Sequence, residues 1–174
     1  MSTARRVVAA SLLAIVAGSM GWLAVQASRS GPLPEGSPLP SLQYLDSRAG
    51  SHLVQATPDR RTAIVLFNSQ CGHCLYEIDA FNRRLAEVQD ARIYFLTTET
   101  RLPTPVLAAR WPALTESSAV SWGTVHAGAF REGLRTLVTP AVFVFDGQGR
   151  LLTQFRGETK FDLLVTALTG ASAG

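Results

Sequence analysis

The chain has 174 residues and a formal net charge of +3, with a sequence pI near 9.3. Without Arg5 and Arg6, the remaining 14 basic and 13 acidic residues nearly cancel and lie scattered; 15 of the 16 basic residues are arginine. No basic stripe is left to follow a phosphate backbone, which excludes nucleic-acid binding as the function class.

From the N-terminus, Arg5-Arg6 precede a stretch from Val7 to Val25 with no charge and only Ser11 and Ser19 as polar breaks. Nineteen residues make a helix of about 28 Å, close to a bilayer's hydrocarbon thickness. The basic pair on the near side predicts an N-in orientation, with the rest of the chain outside the cytoplasm. Residues 1–27 read as a retained signal anchor, the favoured alternative, or as a signal peptide cleaved after Ala27 in the small-x-small sequence Val25-Gln26-Ala27. The anchor predicts a single-pass inner-membrane protein with a periplasmic C-terminal domain. Cleavage predicts a soluble periplasmic one. Residues 28–41 hold Pro32, Pro34, Pro38 and Pro40, four of the nine prolines, and read as a semi-extended linker. Residues 42–170 suffice for one domain with its own core and are too few for two, and 171–174 read as a frayed tail.

Within the domain, Leu42–Leu45 and His52–Val54 read as a short hairpin around Ser47-Arg48-Ala49-Gly50. Ala63–Phe67 is an uninterrupted apolar run, the pattern of a central strand. A helix follows to about Gln89, with Leu75, Ile78, Phe81, Leu85 and Val88 marking one face. Arg92–Thr97 is the next strand, and Pro105–Arg110 starts a helix that Pro112 disturbs. Ala119–Trp122 reads as a short strand, Ala127–Arg135 as a short helix, and Trp111 and Trp122 as core or rim residues. Ala141–Phe145 and Leu151–Phe155 form a hairpin around Asp146-Gly147-Gln148-Gly149, and Phe161–Leu168 closes the domain as a helix. This order predicts an α/β fold, a mixed central sheet with helices on both faces.

The two cysteines of the chain stand as Cys71-Gly72-His73-Cys74, between the apolar strand and the helix. That is the arrangement of a redox-active dithiol. Cys71 lies at the mouth of the helix, whose first N–H groups lack internal partners and favour a thiolate. Only the thiolate attacks disulfides, so Cys71 suits the nucleophile and Cys74 the resolving thiol. His73, when protonated, adds positive charge beside the thiolate, and Gly72 keeps the approach clear. A zinc site would need two more ligands, with only His52 and His126 available and no second cysteine pair; no metal or cofactor is expected. Glu77 falls on the edge of the apolar stripe, one turn after Cys74 and about 60° from it. A partly buried carboxylate there has a raised pKa and could take the Cys74 proton. Pro140 stands at the start of the apolar run 141–145, where it cannot donate to the sheet and belongs at a strand end. A cis bond before it would turn the Thr139 backbone groups toward whatever lies against the dithiol.

From about residue 40 to 170 the chain resembles the thioredoxin superfamily, and in detail the membrane-anchored TlpA/ResA-like thiol–disulfide oxidoreductases. Three features carry this: the Cys71–Cys74 tetrapeptide, identical to that of protein disulfide isomerase active sites; Glu77, completing a C-x-x-C-x-x-E pattern; and Thr139-Pro140 before Ala141–Phe145, which looks like the family's cis-proline. Gln70, where the family has tryptophan, Asp79, where it has proline, and Val65, where thioredoxins proper have a buried aspartate, depart from it. The resemblance implies a thioredoxin-like fold, with substrate contact at Thr139 and Pro140.

The expected function is extracytoplasmic thiol–disulfide exchange between the Cys71–Cys74 couple and cysteine pairs of substrate proteins. A membrane or periplasmic redox partner would recycle the dithiol. The TlpA/ResA resemblance implies a reductant, for apocytochrome or metalloprotein cysteines, and this direction is slightly favoured; the Cys-Gly-His-Cys tetrapeptide points to an oxidant or isomerase. Two other classes stand beside it. A non-enzymatic, membrane-tethered metallochaperone on the same fold would need a histidine such as His126 near the dithiol. A peroxiredoxin-type peroxidase would need proline and threonine or serine where this chain has Ile64 and Asn68.

Overall fold

The computed structural model describes residues 31–170, Pro103 excepted. The expectations placed on residues 1–27 and on the tail 171–174 lie outside the described residues. Among the described residues no helix is long and apolar enough to cross a membrane.

Seven strands form one sheet: β1 (Gln43–Leu45), β2 (Ser51–Leu53), β3 (Thr62–Leu66), β4 (Arg92–Thr97), β5 (Val120–Thr124), β6 (Ala141–Phe145) and β7 (Leu151–Arg156). Their order is β2-β1-β5-β4-β3-β6-β7. The three central strands β3, β4 and β5 run parallel, whereas β6 and β7 are antiparallel on one side and β1 and β2 on the other. Every residue of β3 and β6 is buried, as continuous apolar runs require when helices cover both faces. Ala63 and Val65 point into one core layer, and Ile64 and Leu66 into the other.

The first layer is filled by α1 (Gly72–Arg83), α2 (Thr104–Arg110), α3 (Pro112–Glu116) and α5 (Phe161–Thr169). Phe81 of α1 meets Phe161 of α5 edge-on, with centroids 4.9 Å apart, a favoured aromatic geometry. The second layer is filled by α4 (Ala127–Leu134), through Phe130 and Leu134.

Two helices differ from the sequence reading by more than a residue or two at an element's end. The helix after the dithiol ends at Arg83 and not near Gln89; a 3-10 turn, Leu85–Glu87, follows. The tighter turn returns Val88 to the core, where it is buried. Pro112 begins a second helix, its missing N–H harmless in the first turn. A compact unit runs from Leu33, and its residues 33–39 lie along the β6–β7 hairpin. Gly36 N–H donates to Leu151 O, Leu39 N–H to Gly149 O and Leu151 N–H to Ser37 O. Leu33 and Leu39 pack on the second core layer. Prolines with a preset φ lose little entropy in such an extended arm.

Candidate active site

Sheet register brings the site together. Leu66, the last residue of β3, pairs with Ala141, the first of β6, and Ala141 pairs with Arg156, the last of β7. The loop after β3, the turn before β6 and the segment after β7 therefore meet at one end of the sheet. That end carries Cys71 and Cys74 on the first segment, Thr139 and Pro140 on the second, and Gly157 to Thr159 on the third.

Residues 68–70 are held as a defined turn. Asn68 Oδ1 accepts from Gln70 N–H at 2.8 Å, and Asn68 O accepts from Cys71 N–H at 3.1 Å. Glu99, just beyond β4, accepts from Ser69 N–H at 3.2 Å and from Ser69 Oγ at 2.6 Å. Cys71 is the N-cap residue of α1, with extended backbone and no formed side-chain cap. Its sulfur lies 4.0 Å from Thr139 O, and the Thr139-Pro140 bond is cis.

Both cysteines are free thiols, Cys71 partly exposed and Cys74 buried. Their environments push them apart. The Cys74 backbone N–H leads in holding Cys71 below the usual thiol range, with the Cys74 thiol, the His73 N–H and Thr139 contributing. Burial pushes Cys74 up to about 12, and Cys71 opposes its ionisation further. The partly exposed thiol therefore ionises more readily than an ordinary cysteine, and the buried one holds its proton. An added Cβ at Gly72 would meet nothing within 4 Å, so this position of the motif faces open space.

Glu77 is more deeply buried than the sequence reading placed it, at 1% exposure. Its Oε2 accepts from Thr159 N–H at 3.1 Å, while Oε1 has no partner among the described residues. Burial pushes its pKa up to about 7, with Glu158 adding to the rise. Such a carboxyl exchanges protons near neutrality, as a general base must. His73 has a side chain 75% exposed, and its Nδ1 lies 2.6 Å from Glu158 Oε2; this pair raises its pKa.

His126 is occupied elsewhere: it caps α4, Nδ1 accepting from Gly128 N–H at 3.2 Å. His52 pairs with Asp46 at 2.9 Å. Among the described residues, no cluster of three or more His, Cys, Asp and Glu side chains is placed to hold a metal ion.

No protein-family model matches the chain, and no curated protein matches its sequence. Solved structures do match. A peroxiredoxin-like protein from Aquifex aeolicus aligns at a TM-score of 0.65 and 15% identity, over 81% of this chain and 90% of its own. A thio-disulfide isomerase from Thermus thermophilus aligns at 0.56 and 22% identity, over 82% and 99%. The thioredoxin domain of a thiol-disulfide oxidoreductase from Bacteroides vulgatus aligns at 0.54 and 16% identity, over 78% and 99%. The fold is thioredoxin-like.

On this thioredoxin-like frame the structure gathers every residue singled out in the motif reading: Cys71, Gly72, His73, Cys74, Glu77, Thr139 and Pro140. Sequence reasoning missed Asn68, Glu99 and the segment Gly157-Glu158-Thr159. Asn68 and Glu99 each follow closely on an apolar strand that ends toward the dithiol, which is a usable signal. Glu158 gave none, because its partner His73 lies 85 residues away.

Proposed function

We propose that this domain exchanges thiols and disulfides with cysteine pairs of substrate proteins. The observation that carries the reading is the division between the two sulfurs: an acidified, partly exposed Cys71 against Thr139, and a buried, proton-holding Cys74 behind it. In the reducing direction the Cys71 thiolate attacks a substrate disulfide, forming an S–S bond to one substrate sulfur and releasing the other as thiolate. Cys71 then no longer carries charge, so its opposition to Cys74 ionisation disappears. Cys74 passes its proton to the Glu77 carboxylate and attacks the Cys71 sulfur. The Cys71–Cys74 disulfide forms, the second substrate sulfur leaves, and two electrons have passed to the substrate. The same steps reversed oxidise a substrate dithiol.

Support for a protein substrate comes from Leu137 and Val138, exposed apolar residues directly before Thr139, at 36% and 55%. The reducing direction is slightly favoured, as the resemblance to TlpA/ResA-like proteins implies, with a membrane or periplasmic partner resetting the dithiol. The charge-free stretch 7–25 behind Arg5-Arg6 supports a membrane-tethered domain on the extracytoplasmic side. The test is trapping. Cys74→Ser should accumulate mixed disulfides with substrate proteins, visible on non-reducing gels and lost on reduction, whereas Cys71→Ser should not. Trapping by Cys71→Ser alone would reverse the two roles, and trapping by neither would remove the function.

A further inference from the structure

Three consecutive residues after β7 each hold a different part of the site. Gly157 N–H donates to Pro140 O at 2.8 Å. Glu158 Oε2 meets His73 Nδ1 at 2.6 Å. Thr159 N–H donates to Glu77 Oε2 at 3.1 Å. The segment is itself shaped for this: Gly157 has φ +89, which a side chain rarely tolerates, and Thr159 Oγ1 donates back to Gly157 O at 3.2 Å.

The middle contact bears on the redox couple. A protonated imidazole between the two cysteines favours the Cys71 thiolate, and stabilising the reduced form makes a disulfide more oxidising. Here the imidazole is paired with a carboxylate, and the pair together is neutral. We propose that Gly157-Glu158-Thr159 is a clamp on the dithiol, in which Glu158 is a positioning residue that offsets the His73 charge and keeps the couple less oxidising than its tetrapeptide alone would be. This rests on Cys71 as the attacking thiol. The titratable groups acting on His73 are Glu158, from the segment after β7, and Cys71, at the start of α1; Glu158 also faces Glu77.

Glu158→Gln removes the charge, keeps an acceptor for the imidazole, and leaves the backbone bonds of Gly157 and Thr159 in place. The pair is exposed, so the fold does not depend on it. At about pH 6 an unpaired histidine, with its ordinary pKa of about 6.5, is mostly protonated. Cys71 in the variant should then react with iodoacetamide about two- to tenfold faster than in the wild type. Near pH 8.5 the unpaired imidazole is neutral and the rates should converge. In a glutathione buffer, protein dithiol plus glutathione disulfide gives protein disulfide plus two glutathione thiols. That equilibrium should move toward the protein dithiol by a similar factor, tenfold being about 30 mV. Glu158→Asp should restore wild-type behaviour, and in a His73→Ala background Glu158→Gln should change nothing. Rates and equilibrium within about 1.5-fold of wild type at pH 6, or an equal acceleration without His73, would overturn the proposal. Alkylation is read on the protein alone, so a failure of substrate trapping leaves it legible and the two proposals fail separately.

Discussion

Glu77 is a buried carboxyl with one oxygen unpartnered among the described residues, and its titration bears on stability. Burial raises its folded pKa from 4.5 to about 7. Between those values the folded state holds a proton that the unfolded state has lost, so stability falls as pH rises through this window and levels off above it. At about 1.4 kcal/mol per unit the change is on the order of 3 kcal/mol. Denaturant titrations of the reduced protein from about pH 4.5 to 8 should show this decline in the wild type, and its loss in Glu77→Gln. The same variant cannot accept the Cys74 proton, and resolution of a mixed disulfide should slow by about ten- to a thousandfold. Stopped-flow kinetics at wild-type speed across pH 5 to 8 would remove Glu77 from the chemistry while leaving the stability effect intact.

At the scale of elements, α1 is fixed against α2 and α3 by Asp79, a position where the sequence departs from the family it resembles. Asp79 accepts from the Trp111 indole N–H and from Arg110 Nη2, and the Arg110 guanidinium lies 5.0 Å from the Trp111 ring centroid. Burial alone would raise the Asp79 pKa, but the Arg110 and Trp111 hydrogen bonds bring it below the ordinary value. Its contribution is therefore present above the unfolded pKa and lost as pH falls through the depressed folded one. Asp79→Ala leaves a buried indole N–H without a partner and should cost about 1–3 kcal/mol in urea unfolding at neutral pH. The dithiol sits at the other end of α1, so Cys71 alkylation should stay within about twofold of wild type. A large change in that rate would show that the helix start moves with its anchor.

For the whole molecule the parallel–antiparallel switch in the sheet is what makes a site. Because β6 runs against β3, the start of one strand lies beside the end of the other, and Pro140 comes to stand beside a dithiol far from it in sequence. Location is a separate expectation, carried by the stretch 7–25. The full chain should stay in the membrane pellet after alkaline carbonate, and protease added to spheroplasts should digest the domain. Recovery in the soluble periplasmic fraction would show cleavage after Ala27 in place of an anchor.

The sequence alone determined the strands, the helix with the dithiol at its start and the place of Pro140 at a strand end, because those depend on local pattern. Apolar runs are buried strands, a helix start has unpaired N–H groups wherever it occurs, and Asp146-Gly147-Gln148-Gly149 turns by its own hydrogen bonds, Asp146 Oδ1 accepting from Gln148 and Arg150 N–H. Glu77 was legible as a partly buried position on a helix but not as a fully buried one, since periodicity marks only a stripe edge and a Thr159 contact from beyond β7 lies outside its reach. The grip of Gly157, Glu158 and Thr159 on Pro140, His73 and Glu77 was decided by tertiary structure alone. Those contacts join residues 17 to 85 positions apart, and only sheet register, acting over the whole chain, brings such distant residues within hydrogen-bonding reach.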